Sequence, residues 1–194
     1  MTTSEKYFIH IPKNGGSSIV DIIRSKKEYH LKGHWPEMIN DRINFVKLNI
    51  CSIPFQQYFT FAVVIHPYQR VVSCYQYLIN GGKHTSIDLS YQKILQKYKT
   101  FEDFINNLHH LQREIVHLVA QHIFICDLNT DKILVNKVIS IENLENELVS
   151  IDKCFEKIPK INKSNQLKIH LTNQIKEKIY NIYYKDFKIF GFQK

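Results

Sequence analysis

Residues 8–18 read Phe8-Ile-His-Ile-Pro-Lys-Asn-Gly-Gly-Ser-Ser18, and their order decides the fold class. A short apolar run stops at Pro12, two glycines follow, and hydroxyl residues open the next periodic stretch. Lys6–Ile11 is predicted to be a buried strand, because a brief apolar run bounded by Pro and Gly has that signature. Ile19, Val20, Ile22 and Ile23 then recur at helical spacing, with Ser17 as the expected N-cap. Strand, tight glycine loop and helix together make the construction that binds phosphate. Backbone N–H groups of the loop and helix start converge, and the helix dipole adds positive potential. Gly15 and Gly16 allow a sharp turn and a close approach, Lys13 supplies a point charge, and Ser17 and Ser18 add hydroxyl donors.

The same logic recurs further along. Phe59–Ile65 is apolar, aromatic and β-branched, hence a predicted central strand. Pro67 opens a helix where its missing N–H is harmless, and Gly81-Gly82 closes it. Within that helix Val71, Tyr75, Leu78 and Ile79 form one predicted apolar stripe, with Arg70, Ser73 and Tyr77 on the opposite face. The stretch from Asn80 to Ser90 is read as a polar, mobile loop. Thr100 to Asp103 resembles a helix start. His122–Cys126 is a predicted strand, Val138–Ile141 another, followed by a helix over Glu142–Phe155. Ile175, Ile179 and Ile182 place a helix over Thr172–Phe187. Strands alternating with helices predict a single α/β domain over residues 1–194 with a mainly parallel sheet.

Composition narrows the function classes. The 194 residues are 44% hydrophobic and 23% charged, as in ordinary globular proteins. The net charge of +8 favours anionic ligands without selecting one. Aromatic residues do not interleave with the cations in an RNA-binding pattern, so no nucleic-acid partner is expected. Cys51, Cys74, Cys126 and Cys154 are scattered, which predicts free thiols rather than a zinc site. The histidines show no metal-ligand spacing, so no metal is expected. The polar start and the lack of a membrane-spanning stretch predict, for a complete chain, a cytoplasmic protein.

A nucleotide-hydrolase P-loop places its lysine after the glycines. Here Lys13 precedes them, and the second strand ends in Ile65-His66 where an aspartate would hold magnesium. A magnesium-dependent phosphotransferase is therefore the weakest of the readings that the loop permits.

The segment His10-Ile-Pro-Lys-Asn-Gly-Gly-Ser-Ser18 resembles the loop HIPKTGGTS of the carbohydrate sulfotransferase family, including its heparan sulfate 2-O-sulfotransferase branch. Val64-Ile-His-Pro-Tyr-Gln-Arg-Val-Val-Ser-Cys-Tyr75 is similar to that family's VRDPYERLVSAY segment. Val138–Leu144 is similar to its strand ending in E-N-L, and Ile182–Phe192 to its terminal IY..DF..FGY pattern. The resemblance implies a P-loop-containing nucleotide-hydrolase-like fold, with a central parallel sheet flanked by helices. It also implies 3′-phosphoadenosine 5′-phosphosulfate (PAPS) as sulfuryl donor, PAP as product, and a carbohydrate hydroxyl as the expected acceptor. Lys13, Asn14, Gly15, Gly16, Ser17 and Ser18 are then expected at the 5′-phosphosulfate, and Arg70 and Ser73 at the 3′-phosphate.

His30-Leu-Lys-Gly-His34-Trp35 is similar to a His-Gly-His stretch of the 2-O branch whose second histidine is the base, which points to His34 beside Lys13 as the catalytic pair. An imidazole titrates near neutrality and suits that task. His30 is read as a bystander, and His10 as support behind the loop. One position departs from the family: Ile65 stands where an arginine clamps the 3′-phosphate. Losing a charge-assisted hydrogen bond of about 1.5–3 kcal/mol weakens binding roughly ten- to a hundredfold. Arg70, His66 or the Lys160/Lys163 pair are the candidate substitutes. A catalytically silent PAP-binding module of the same fold is the second reading.

Overall fold

The computed structural model describes residues 5–50, 55–157 and 169–194. Cys51 and the Lys160/Lys163 pair lie outside them. In chain order the elements are β1 (Lys6–Ile9), α1 (Gly16–Ile23), β2 (Tyr29–Lys32), β3 (Met38–Ile39), β4 (Arg42–Ile43), α2 (Phe45–Leu48) and β5 (Phe59–Val64). There follow α3 (Pro67–Ile79), α4 (Ser86–Leu95), α5 (Phe101–Leu111), α6 (His122–Ile125), β6 (Lys137–Ser140), α7 (Leu144–Ile151), α8 (Asn173–Ile182) and α9 (Tyr184–Phe190). The chain forms two compact units, one built from residues up to Ile65 and from Gln121 onward to Lys157, the other from His66–Ala120 and the C-terminal helices.

The first unit holds a four-stranded sheet in the order β2-β1-β5-β6. All three pairings are parallel, with Ile9 opposite Lys32 on one side and Ala62 on the other. β5 is buried from Thr60 to Val64, as a central parallel strand requires. Phe8, Phe61, Val63 and Ile139 of the sheet pack with Ile19 and Ile23 of α1, Leu144 and Leu148 of α7, and Phe155. This is the expected α/β architecture of the P-loop-containing nucleotide-hydrolase-like type, a parallel sheet flanked by helices. β1 leads on to β2 on one side and β5 to β6 on the other, so the strand order reverses between β1 and β5. Ligands of open α/β sheets bind beyond the carboxyl ends of the strands at such a point.

A polar node closes the far end of this unit. Asp152 accepts hydrogen bonds from the Tyr29 hydroxyl (2.9 Å) and the Cys154 N–H (2.9 Å), and Lys6 lies 3.2 Å away. Burial alone would raise the Asp152 pKa, but the hydrogen bonds from Cys154, Tyr29 and Lys6 outweigh it and hold the carboxyl at about 2.

The second unit is helical. α5 opens with a full capping box, Thr100 accepting from the Asp103 N–H and Asp103 from the Thr100 N–H. The inward face of α3 differs from the predicted stripe. It comprises Tyr68, Arg70, Val71, Cys74 and Leu78, while Tyr75 and Ile79 are half-buried. Arg70 can join it because backbone carbonyls satisfy its guanidinium, which a hydropathy pattern does not reveal. The Asn80–Ser90 stretch is a turn that passes into α4 at Ser86, with Thr85 as N-cap. Asp88 anchors it, accepting from the Tyr77 hydroxyl (3.1 Å) and the Lys83 N–H (3.0 Å). The expected C-terminal helix breaks at Tyr183 into α8 and α9. The Tyr183 hydroxyl donates to the Leu118 carbonyl at 2.6 Å, and its ionisation is pushed far up by burial.

His122–Cys126, predicted as a strand, is instead one helical turn. The Cys126 N–H closes it on the His122 carbonyl, and Cys126 then bridges to Ile133. Four apolar residues after a histidine satisfy both periods equally, so pattern could not separate the two.

Candidate active site

The loop after β1 carries two left-handed residues, Lys13 (φ 67°) and Gly15 (φ 75°), on either side of Asn14. Alternation of this kind turns successive N–H groups into one concavity, an anion-binding nest. Gly15 takes that conformation without strain. α1 begins at Gly16 with no acidic residue in its first turn. Ser17 is exposed, and Lys13 and Ser18 are half-buried. Concave N–H groups, an ammonium, two hydroxyls and no carboxylate form a donor set that fits a phosphate or phosphosulfate.

Asn14 has a structural task as well. It is 1% exposed, and its Nδ2 donates to the Val63 carbonyl and to Gln121 Oε1, each at 2.7 Å. Gln121, fully buried, also takes the Ile65 N–H on Oε1 (3.0 Å) and donates from Nε2 to the Ile65 carbonyl (2.9 Å). One amide therefore completes the backbone of Ile65 as a neighbouring strand would, while fixing the anion loop to the end of β5. Sequence reasoning missed Gln121; the only signal is a lone amide inside the apolar run from Ile115 to Cys126.

The register of β1 and β2 brings His34 to the loop. Ile9 pairs with Lys32, so both chains leave the same end of the sheet, His10 from one and Gly33-His34 from the other. The His10 and His34 rings meet edge to face, with centroids 4.7 Å apart. His10 stacks inward on Phe8 at 5.8 Å, and His34 outward on Trp35 at 5.9 Å and 15°. A row of four rings thus runs from the core to the surface. The inner histidine of the row, His10, lies against the loop. A Cβ on Gly16 would stand 2.2 Å from His10 Cδ2, so the imidazole occupies the space that any side chain there would need. His30 is elsewhere: its Nε2 is 2.9 Å from Glu5 Oε2, and its ring stacks on Tyr7.

In the second unit, His66 caps α3. Its Nδ1 accepts from the Tyr68 N–H at 3.3 Å and its Nε2 donates to the Gln193 carbonyl at 2.9 Å, which is the neutral Nε2–H tautomer. Its ring lies against Tyr68, Phe187 and Phe192. Arg70, 2% exposed, donates from Nη1 to the Val119 carbonyl (2.8 Å) and from Nη2 to the His117 carbonyl (3.1 Å). Two of the candidate substitutes for the arginine missing at position 65 therefore have structural partners. Ser73 is half-buried on α3. Cys74, Cys126 and Cys154 take part in no disulfide. Among the described residues no three His, Cys, Asp or Glu side chains gather as metal ligands, and no helix is long and apolar enough to cross a membrane.

Comparison with known proteins adds one finding. The family model described as the sulfotransferase family matches residues 6–193. No curated protein and no solved structure gives a match. The match spans the phosphate loop, the histidine row, α3 and the C-terminal helices in one alignment, and so the chain belongs to the sulfotransferase family.

Proposed function

We propose that this sulfotransferase moves a sulfuryl group from PAPS to a carbohydrate hydroxyl by direct in-line displacement without a metal. The observation that carries this reading is the contact of His34 with His10, whose ring lies against Gly16. This proximity supports reading His34 as a proton acceptor near the loop assigned to the phosphosulfate. PAPS supplies an activated sulfur already bonded to a good leaving group. The Lys13–Ser18 loop holds the 5′-phosphosulfate through N–H groups, and Lys13 offsets the charge that builds on the departing phosphate oxygen. The acceptor oxygen forms the new S–O bond as the bond to PAP breaks. PAP leaves with the electron pair, and the hydroxyl proton passes to His34. Ser73 is assigned to the 3′-phosphate on its motif position alone.

The test is transfer of radiolabelled sulfate from PAPS to saccharides by wild type and His34→Ala. Loss of a general base lowers turnover by about 10²–10⁴. The account expects that loss with PAP affinity unchanged. Equal turnover in the two proteins removes His34 from the mechanism.

A second reading, a PAP-binding module without catalysis, is favoured by one observation. Ile65 lacks the clamp, and Arg70 and His66 have backbone partners. It expects PAP to bind and no acceptor to be sulfated.

A further inference from the structure

Trp35 is the only tryptophan of the chain and is 75% exposed. Exposure of so large an apolar ring is unusual, since indole burial is a strong driving force in folding. The ring is nevertheless held in place. A Cβ on Gly33 would stand 2.8 Å from both Cδ1 and Nε1 of the indole, so the ring lies directly over the glycine backbone. Its plane is also nearly parallel to that of His34, which stacks on it at 15° with 5.9 Å between centroids. A flat apolar surface is thus fixed one ring-width from the candidate proton acceptor and left open to solvent.

We infer that Trp35 is the acceptor platform, on which a pyranose ring stacks through its C–H face with one rim hydroxyl directed at His34. This rests on reading His34 as the base of a sulfotransferase. The chemistry matches on both sides. A pyranose presents polarised C–H groups on one face, and an indole face carries negative quadrupole density. The sugar hydroxyls lie around its rim, within reach of the imidazole that stands parallel to the indole with its centroid 5.9 Å away. Rigid, pre-placed aromatic area binds with little loss of side-chain entropy. Gly33 belongs to the same device, because any side chain there displaces the indole.

The single tryptophan makes the test direct. Emission of Trp35 is followed while hexamers of β-1,4-linked glucose, β-1,4-linked N-acetylglucosamine and hyaluronan are added separately, with 1-naphthol as a non-saccharide control. The inference expects a saturable change in emission with at least one saccharide and none with PAP alone. In calorimetry, Trp35→Ala should weaken that saccharide roughly tenfold or more, Trp35→Phe should retain most of its affinity, and PAP affinity should not move. Gly33→Ala should behave as Trp35→Ala. Emission unchanged by every saccharide overturns the platform, as does a response to 1-naphthol alone. Emission that shifts with protein concentration before any ligand is added also overturns it, because a second copy then covers the ring. If saccharides bind through Trp35 and PAP does not bind, the donor assignment fails while the platform stands. If PAP binds and Trp35→Ala leaves saccharide affinity intact, the platform alone fails.

Discussion

Gly16→Ala isolates the link between the phosphate loop and the histidine row. The new Cβ would stand 2.2 Å from His10 Cδ2 and 2.6 Å from Nε2, where ordinary contact begins near 3.4 Å. The imidazole must therefore retreat by 3.4 − 2.2 = 1.2 Å or more. It has Phe8 on one side and His34, 4.7 Å away, on the other. Two energies oppose each other. Alanine in a helix is about 1 kcal/mol better than glycine, and overpacking costs about 1–3 kcal/mol. The net effect on stability is a loss of about 0–2 kcal/mol, readable as a urea midpoint. The effect on turnover is larger, because displacing a reacting group by about 1 Å can cost on the order of 10²-fold. The assay is sulfuryl transfer in a double-mutant cycle with His10→Ala, which removes the obstructing ring. Gly16→Ala should cost roughly 10²-fold in wild type and little further in the His10→Ala background. An equal loss in both backgrounds would mean that Gly16 serves the anion directly, and full activity of Gly16→Ala would refute the reasoning outright.

Two further predictions concern stability. Gln121→Leu leaves the Ile65 N–H and carbonyl without the side chain that satisfies them, at about 1–3 kcal/mol per unsatisfied group, so the urea midpoint should fall by an amount equivalent to roughly 3 kcal/mol. A midpoint unchanged within error removes the brace from the account. Asp152, held at about 2, is ionised in the folded chain at pH values where the unfolded chain already binds a proton. Its contribution is complete above the ordinary carboxylate range and is lost as pH falls through about 4 toward about 2. Asp152→Asn should therefore flatten that part of the acid-unfolding curve, and an identical acid limb would count against the node.

The phosphate loop was legible because each of its residues has a local reason. The apolar run, the glycine pair and the periodic isoleucines state strand, turn and helix without reference to the rest of the chain. β5 and the capped start of α5 were legible for the same reason. β2 was not. Tyr29-His-Leu-Lys shows no apolar run, since an edge strand buries little, and only Tyr29 of the four is buried. Yet β2 is the element that carries His34 to the loop, so the motif pointed to His34 as a candidate while its place beside the loop comes from the sheet. The neighbouring hairpin of β3 and β4 turns on Asn40 and Asp41, both with positive φ, a signal that was present and unread. Arg70 shows the opposite limit. Its charge suggested a ligand, but the carbonyls that receive it come from residues almost fifty positions away. Such long-range satisfaction leaves no trace in local pattern.

The measurement that tests the central claim most directly is titration calorimetry of PAP, without magnesium, against wild type and Ile65→Arg, with ATP as control. The backbone of Ile65 is fixed by Gln121, so the substitution changes the side chain and not the strand end. The account predicts magnesium-independent binding of PAP in preference to ATP, strengthened roughly ten- to a hundredfold by the restored guanidinium. Failure of both proteins to bind PAP, or a preference for ATP that depends on magnesium, would contradict it.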